Sequence, residues 1–128
     1  MQPSPTNADI FVVDDNKLVR AGMVFLLERE NYVVKEFHDP EPLINELFST
    51  PSLPRLIISD YEMRGMNGID IINKLKESSA HQHIPVLIIS AQNSTTLQYV
   101  AEKAGAVGWV KKTKMIDELV PAVQKYIL

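Results

Sequence analysis

Two apolar runs in this chain end directly at acidic side chains. Residues 10–13 run into Asp14 and Asp15, and residues 56–59 run into Asp60. A continuous Val, Ile and Leu run is typical of a strand covered on both faces, as in a parallel sheet packed between helices. If the two strands are parallel neighbours, the carboxylates converge. Unit charges roughly 5 Å apart at an effective dielectric near 20 repel by about 3 kcal/mol per pair, so the pattern predicts a magnesium site.

Strand-like and helix-like segments alternate along the rest of the chain. The predicted strands are residues 9–13, 32–37, 55–59, 86–90 and 107–110. Apolar residues between them recur at helical spacing, and a last helix is predicted over residues 115–128. The pattern predicts an α/β fold with a doubly wound, five-stranded parallel sheet, because parallel neighbours require a crossover and a helix supplies it. Within the last helix, Pro121 predicts a bend or a late start, since it removes one backbone hydrogen bond.

Length and composition indicate one soluble globular domain over residues 1–128, with residues 1–7 as a disordered lead-in. Hydrophobic residues make up 45% and charged residues 23%, which excludes an intrinsically disordered chain. The net charge of −3 provides no basic surface for nucleic acid. Cysteine is absent, so thiol catalysis and zinc-thiolate sites are excluded. The sequence has no signal peptide or membrane span, which predicts a cytoplasmic protein without membrane contact.

Further polar side chains fall at the same edge of the predicted sheet. In an open parallel sheet, ligands bind outside the carboxyl ends of the strands, where the strand order reverses. In the flavodoxin-like order 2-1-3-4-5, that point lies between strands one and three. Strand four ends at Ser90, and strand five runs into Lys111 and Lys112. A hydroxyl and an ammonium group therefore reach the carboxylates, and the alternation of a strand allows only one of the two lysines to do so.

This arrangement resembles the receiver domain of two-component response regulators, from about Asp9 to the end of the chain. The matching pieces are Asp14-Asp15, residues 60–68, Ser90-Ala91 and residues 104–112. The resemblance implies that Asp60 is the phosphoacceptor nucleophile, which attacks a phosphoryl group carried by a partner histidine. It also implies that Asp15 and Asp60 bind Mg²⁺ directly.

The same resemblance completes the metal site and implies the remaining roles. Asp14 would bind Mg²⁺ through water, and Glu62 would bind it through the backbone carbonyl. The family's lysine falls at the fourth residue after the glycine at position 108, which selects Lys112. Ser90 would hydrogen-bond a phosphoryl oxygen and move inward, and Trp109 would swing from outside to inside as an aromatic switch.

The implied function is that of a signalling phosphoacceptor, which promotes its own phosphorylation and dephosphorylation but is not otherwise an enzyme. Its partners would be a sensor histidine kinase or a phosphotransfer protein. A C-terminal helix-turn-helix output domain outside this sequence would bind DNA, while this domain would not. The domain would be a monomer or a phosphorylation-promoted homodimer.

Departures from the family pattern keep an alternative open. Arg64 and Thr113 stand where the family usually has proline, and Asn67 replaces a common aspartate. The replacement at Asn67 is minor, but Arg64 and Thr113 favour a receiver-like binding module that works without phosphorylation. A magnesium-dependent phosphatase is disfavoured, because those enzymes place their two aspartates one residue apart on the first strand. Taken singly, the acidic pair also fits a helix N-cap, and Trp109 fits a core aromatic.

Overall fold

The computed structural model describes residues 7–128. The strands are β1 (Ile10–Val13), β2 (Val34–Phe37), β3 (Leu56–Asp60), β4 (Val86–Ser90) and β5 (Gly108–Lys111). The helices are α1 (Lys17–Glu28), α2 (Pro40–Ser49), α3 (Gly68–Lys76), α4 (Thr95–Ala104) and α5 (Met115–Tyr126), with a 3-10 turn over Lys112–Lys114. Most of the lead-in predicted over residues 1–7 lies outside the described residues; Asn7 is described, and its Oδ1 accepts a hydrogen bond from Ser52 Oγ at 2.8 Å.

The five strands form one parallel sheet in the order β2-β1-β3-β4-β5. The predicted fold class and strand order are therefore confirmed. The register pairs Val13 with Ser59, and Ser90 with Lys111. The residues that follow β1 consequently lie beside the end of β3, and the ends of β4 and β5 meet at the same edge of the sheet.

Alternate residues of the strands face two separate cores. Phe11, Ile57 and Ile88 pack with α2, α3 and α4 on one face of the sheet. Val12, Ile58 and their neighbours pack with α1 and α5 on the other face. Because successive strand side chains point to opposite faces, a strand buried on both sides has to be apolar throughout. This explains the continuous apolar runs of the sequence.

The C-terminal helix decides between the two effects predicted for Pro121. Helix α5 begins at Met115 and continues through Pro121 to Tyr126, so the late start is wrong, and the bend stays a prediction. The peptide bond between Lys112 and Thr113 is trans, as are all others within residues 7–128. Within the same range, no helix combines the length and the apolar character that crossing a bilayer requires.

Candidate functional site

The acidic cluster predicted from the strand ends is present in the structure. Asp14 and Asp15 follow β1, and Asp60 is the last residue of the adjacent strand β3. One carboxylate oxygen from each of the three residues lies within 4.8 Å of the others. Asp14 is 0% exposed and Asp60 is 4% exposed, whereas Asp15 is exposed to solvent. The cluster thus has two buried carboxylates and a third at its mouth.

In the loop after β1, the residue that caps helix α1 is not one of the two aspartates. Asn16 is the N-cap of α1, and its Oδ1 accepts the amide hydrogens of Leu18 and Val19 at 3.0 and 3.1 Å. The Asp14 Oδ1 atom accepts the amide hydrogen of Asn16 at 2.8 Å. Because Asn16 performs the capping, the acidic pair is not the helix cap, and the carboxylate of Asp15 remains at the cluster.

Lys112 connects the two buried carboxylates. Its Nζ lies 3.0 Å from Asp14 Oδ2 and 3.2 Å from Asp60 Oδ2, and its side chain is 16% exposed. The residue begins the 3-10 turn directly after β5. Within the described part of the chain, Lys111 forms no ion pair. Of the two candidate lysines, Lys112 is therefore the one that the fold brings to the carboxylates.

Burial and charge act in opposite directions on this group. Burial and the neighbouring Asp14 raise the pKa of Asp60 to about 6, against the lowering effect of Lys112. Burial lowers the pKa of Lys112, but its contacts with Asp14 and Asp60 outweigh burial, so the pKa of Lys112 is raised overall. A single ammonium group does not balance three carboxylates, and the cluster therefore attracts a further cation.

The donor set of the cluster suits a hard divalent cation. The Asp14 Oδ2 atom is buried and, despite its ion pair with Lys112, accepts no well-directed hydrogen bond from the described residues. A buried carboxylate oxygen without a hydrogen bond is costly unless another group compensates it. Mg²⁺ prefers oxygen ligands from one or two carboxylates together with water. The residues present thus fit the ion that the sequence pattern predicts.

Ser90 lies at the end of β4, beside the cluster, and is 1% exposed. Its Oγ accepts the amide hydrogen of Gln92 at 2.9 Å. The Gln92 side chain in turn donates from Nε2 to Glu62 Oε1 at 2.5 Å, which joins the loops after β4 and β3. A hydroxyl has one hydrogen to donate, and that of Ser90 meets no acceptor among the described residues. It is therefore available to an incoming oxygen.

Trp109 is half-buried and packs inward in this structure. Its ring lies 5.7 Å from that of Tyr61, centroid to centroid, with an interplanar angle of 44°. It contacts the core on the face of α2, α3 and α4. Its Nε1 is buried without a hydrogen-bond partner in the described part of the chain. Tyr61 directly follows Asp60, so the candidate switch residue contacts the neighbour of the candidate nucleophile.

The contacts of two residues at the site were not predicted from the sequence. Arg20 of α1 donates from one terminal nitrogen to the Asp14 backbone carbonyl at 2.7 Å and from Nε to Glu36 Oε1 at 2.9 Å. Ser59 Oγ donates to the Asp60 carbonyl at 2.9 Å. The sequence feature that could have pointed to Arg20 is a basic residue in the first turns of the helix that follows Asp14 and Asp15.

Fold and site together define a doubly wound α/β protein with an acidic, lysine-bridged site at the point where the strand order reverses. The family model for the response regulator receiver domain matches residues 10–124. The chain belongs to this family, which confirms the resemblance seen in the sequence.

Relatives and solved structures agree with this assignment. The transcriptional regulatory protein FixJ of Bradyrhizobium diazoefficiens is 28% identical over 123 residues, which cover 95% of this chain and 58% of FixJ. The two-component response regulator ORR7 of Oryza sativa subsp. japonica is 38% identical over 87 residues, 68% of this chain and 41% of ORR7. The chain thus spans about half the length of these curated relatives. The chemotaxis protein CheY4 of Vibrio cholerae shares the fold, with a TM-score of 0.83 at 22% identity over 94% of this chain and 98% of CheY4.

Proposed function

We propose that this domain accepts a phosphoryl group on Asp60 from the phosphohistidine of a sensor kinase or phosphotransfer protein, in a magnesium-dependent reaction in the cytoplasm. The observation that carries the proposal is the placement of Lys112 Nζ within 3.2 Å of both buried carboxylates, beside the exposed Asp15. A nucleophile, an ammonium group and a cation site converge there. Phosphoryl transfer depends chiefly on such positioning and charge stabilisation.

In the proposed reaction, a carboxylate oxygen of Asp60 attacks the phosphorus atom of the phosphohistidine. The new O–P bond forms as the N–P bond breaks, and the imidazole nitrogen leaves with the electron pair and takes up a proton. Lys112 has three N–H hydrogens, so it can bind a phosphoryl oxygen while it still contacts Asp14. Attack of water on phosphorus later returns the Asp60 carboxylate and releases inorganic phosphate.

The metal-binding residues would be Asp14, Asp15, Asp60 and the backbone carbonyl of Glu62. Mg²⁺ held there would offset negative charge on the phosphoryl oxygens. Asp14 would contribute Oδ2, the oxygen that lies 3.0 Å from Lys112 Nζ, since its Oδ1 is bound to the amide of Asn16. The exposed carboxylate of Asp15 leaves the site open to solvent and to a partner.

Ser90 and Trp109 would transmit the change. The Ser90 hydroxyl can donate its free hydrogen to a phosphoryl oxygen on Asp60, which would draw the end of β4 inward. Trp109 lies one strand further along the sheet, on β5. Its contact with Tyr61 gives it a second connection to the phosphorylated residue. A changed surface around Trp109 would then alter the affinity for a partner or an output domain.

A binding module that works without phosphorylation is the second candidate, favoured by Arg64 and Thr113. The structure offers it little support at the site itself. The peptide bond before Thr113 is trans, and Lys112 still reaches both carboxylates. Arg64 is exposed, and it forms no ion pair within residues 7–128.

The similarity to FixJ, named a transcriptional regulatory protein, supports a role in transcription regulation. We propose that a DNA-binding output domain on the same polypeptide would carry out this role. The net charge of −3 argues that this domain does not itself bind DNA. We further propose that phosphorylation promotes the pairing of two copies of the domain and that this pairing would switch such an output domain.

Intact mass after incubation with Mg²⁺ and acetyl phosphate tests the proposal. The parent should gain the mass of one phosphoryl group, and Asp60→Asn should gain none. Lys112→Gln should react more slowly, on the order of a hundredfold, since it loses a preorganised charge-stabilising donor. Lys111→Gln, which removes the same charge one residue away, should react like the parent. A parent that gains no mass, or equal gain in Asp60→Asn, would refute the phosphoacceptor role and favour the binding module.

A further inference from the structure

We propose that Arg20 is a positioning residue, which fixes the peptide bond between Asp14 and Asp15 and thereby sets the affinity of the site for its divalent cation. This inference rests on the proposed function, since it concerns the same carboxylates. Arg20 lies on α1, outside the cluster, and in the described contacts it touches the carboxylate of neither Asp14 nor Asp15. Its effect would therefore act through the backbone.

The backbone of Asp14 is held at both its amide and its carbonyl group. Its amide donates to the Phe37 carbonyl at 3.2 Å. Its carbonyl accepts from Arg20 at 2.7 Å. This carbonyl oxygen belongs to the planar peptide group that leads into Asp15. Holding the oxygen therefore restrains this peptide plane, which contains the backbone nitrogen and the Cα atom of Asp15.

Arg20 is itself held in place. Its Nε donates to Glu36 Oε1 at 2.9 Å, and its side chain is only 13% exposed. A guanidinium group is planar and presents its N–H donors at fixed angles, so it can bind two acceptors in one defined orientation. Lysine would keep the charge but would present a single flexible ammonium group. The geometry thus depends on arginine in a way that charge alone does not.

Loss of the contact between Arg20 and the Asp14 carbonyl should lower the affinity of the site for Mg²⁺. Groups that orient metal ligands without touching the ion typically change affinity by about 10- to 100-fold when they are removed. In Arg20→Gln, the Asp14–Asp15 peptide loses its charged donor, and Asp15 becomes free to turn toward solvent. Asp60 keeps its own supports, because Ser59 and Lys112 contact it independently of α1.

Calorimetric titration with Mg²⁺ tests this on the parent and four variants: Arg20→Gln, Arg20→Lys, Glu36→Gln and Arg29→Gln. Arg29 is the matched control, because it lies at the end of the same helix, where it contacts only the Phe25 ring among the described side-chain contacts. We expect roughly tenfold weaker binding for Arg20→Gln, little rescue by Arg20→Lys, a smaller loss for Glu36→Gln and no change for Arg29→Gln. The loss should persist at high salt.

Full affinity in Arg20→Gln would overturn the proposal. So would full rescue by Arg20→Lys, because the fixed donor geometry of the guanidinium group would then be unnecessary. If Arg20→Gln does not fold, Arg20→Lys decides, since it keeps the positive charge, removes the fixed pair of donors and should still weaken binding.

A metal-free measurement separates this inference from the proposed function. In amide nuclear magnetic resonance spectra recorded with a chelator, Arg20→Gln should shift the signals of Asp15 and Asn16, and Arg29→Gln should leave them in place. A parent that binds no Mg²⁺ would refute the metal-dependent function. Unmoved Asp15 and Asn16 signals in Arg20→Gln would refute the positioning role, whatever the parent binds.

Discussion

At the residue scale, Asp60 shows how burial and charge combine at this site. Its side chain is almost fully buried beside Asp14, and these two effects raise its pKa to about 6 from an ordinary 3.8. Above that pH the metal-free protein holds two neighbouring negative charges with one ammonium group, Lys112, between them. Asp60 is therefore a destabilising residue unless a cation is bound.

We predict that Asp60→Asn stabilises the metal-free protein at pH 8. The pKa of Asp60 is higher in the folded than in the unfolded state, so the parent takes up a proton on folding between about pH 4 and pH 6. Its stability is fully present below pH 4 and falls as the pH rises through 6. The shift corresponds to at most about 3 kcal/mol, and solvent at the open mouth reduces this value.

Urea unfolding in the presence of a chelator measures the effect. The gain in free energy of unfolding for Asp60→Asn should be largest at pH 8 and should shrink toward pH 4. Asp15→Asn is the matched control, because Asp15 is exposed and should give a smaller gain. If Asp60→Asn were no more stable than the parent at pH 8, the electrostatic account of the cluster would be wrong.

The sequence predicted those site residues that lie at strand ends. Asp14, Asp15 and Asp60 follow apolar runs, and parallel pairing of the strands is sufficient to bring them together. Choosing Lys112 over Lys111 required the family pattern. Arg20 could not be predicted, because its contact depends on the rotamers of a long side chain and on the position of Glu36 in the next strand.

At the element scale, the start of α3 is pressed against the end of β3. Asn67 and Asp70 form a reciprocal capping box at 2.9 Å in both directions, and the amide of Gly68 donates to the Tyr61 carbonyl at 3.1 Å. A Cβ atom at Gly68 would lie 2.5 Å from Ile88 Cδ1 and 3.1 Å from the Asp60 carbonyl oxygen. Only glycine allows this approach, which holds the loop beside Asp60.

We predict that Gly68→Ala lowers the free energy of unfolding by roughly 1–3 kcal/mol, because it overpacks a fixed contact. Gly22→Ala, in the interior of α1, should be neutral or raise the stability by up to about 1 kcal/mol, since alanine favours helix. A Cβ atom there would meet only the flexible end of Met115, at 3.0 Å. Chemical unfolding of both variants checks the contrast, and destabilisation of equal size in both would contradict it.

The element boundaries show where sequence patterns lose accuracy. Strand β2 begins at Val34, two residues later than the predicted residue 32. Asn31 has a positive φ of 68°, and the Tyr32 amide still donates to the Leu27 carbonyl at 3.3 Å, so Tyr32 belongs to the turn that closes α1. The aromatic side chain of Tyr32 is typical of strands, but the hydrogen bond of its backbone amide places this residue outside β2. Each of the other strands begins within one residue of the prediction.

At the scale of the whole molecule, the site links the two halves of the structure. The chain leaves β1 into α1 on one face of the sheet and leaves β3 into α3 on the other face. The gap between these crossovers is the usual binding position in such folds. Since β1 and β3 are the central strands of both cores, charge at their ends affects the stability of the entire domain.

We therefore predict that Mg²⁺ raises the melting temperature of the parent. A ligand at 100 times its dissociation constant adds about 2.7 kcal/mol to the stability of the folded state. For a domain of this size, that corresponds to an increase on the order of 10 °C. Differential scanning calorimetry at constant ionic strength measures it, with Na⁺ replacing Mg²⁺ as the reference. Asp60→Asn should melt higher without metal and respond less to Mg²⁺, because it has lost both the repulsion and one ligand. An equal response of both proteins would mean that the ion binds elsewhere and that the carboxylates remain uncompensated.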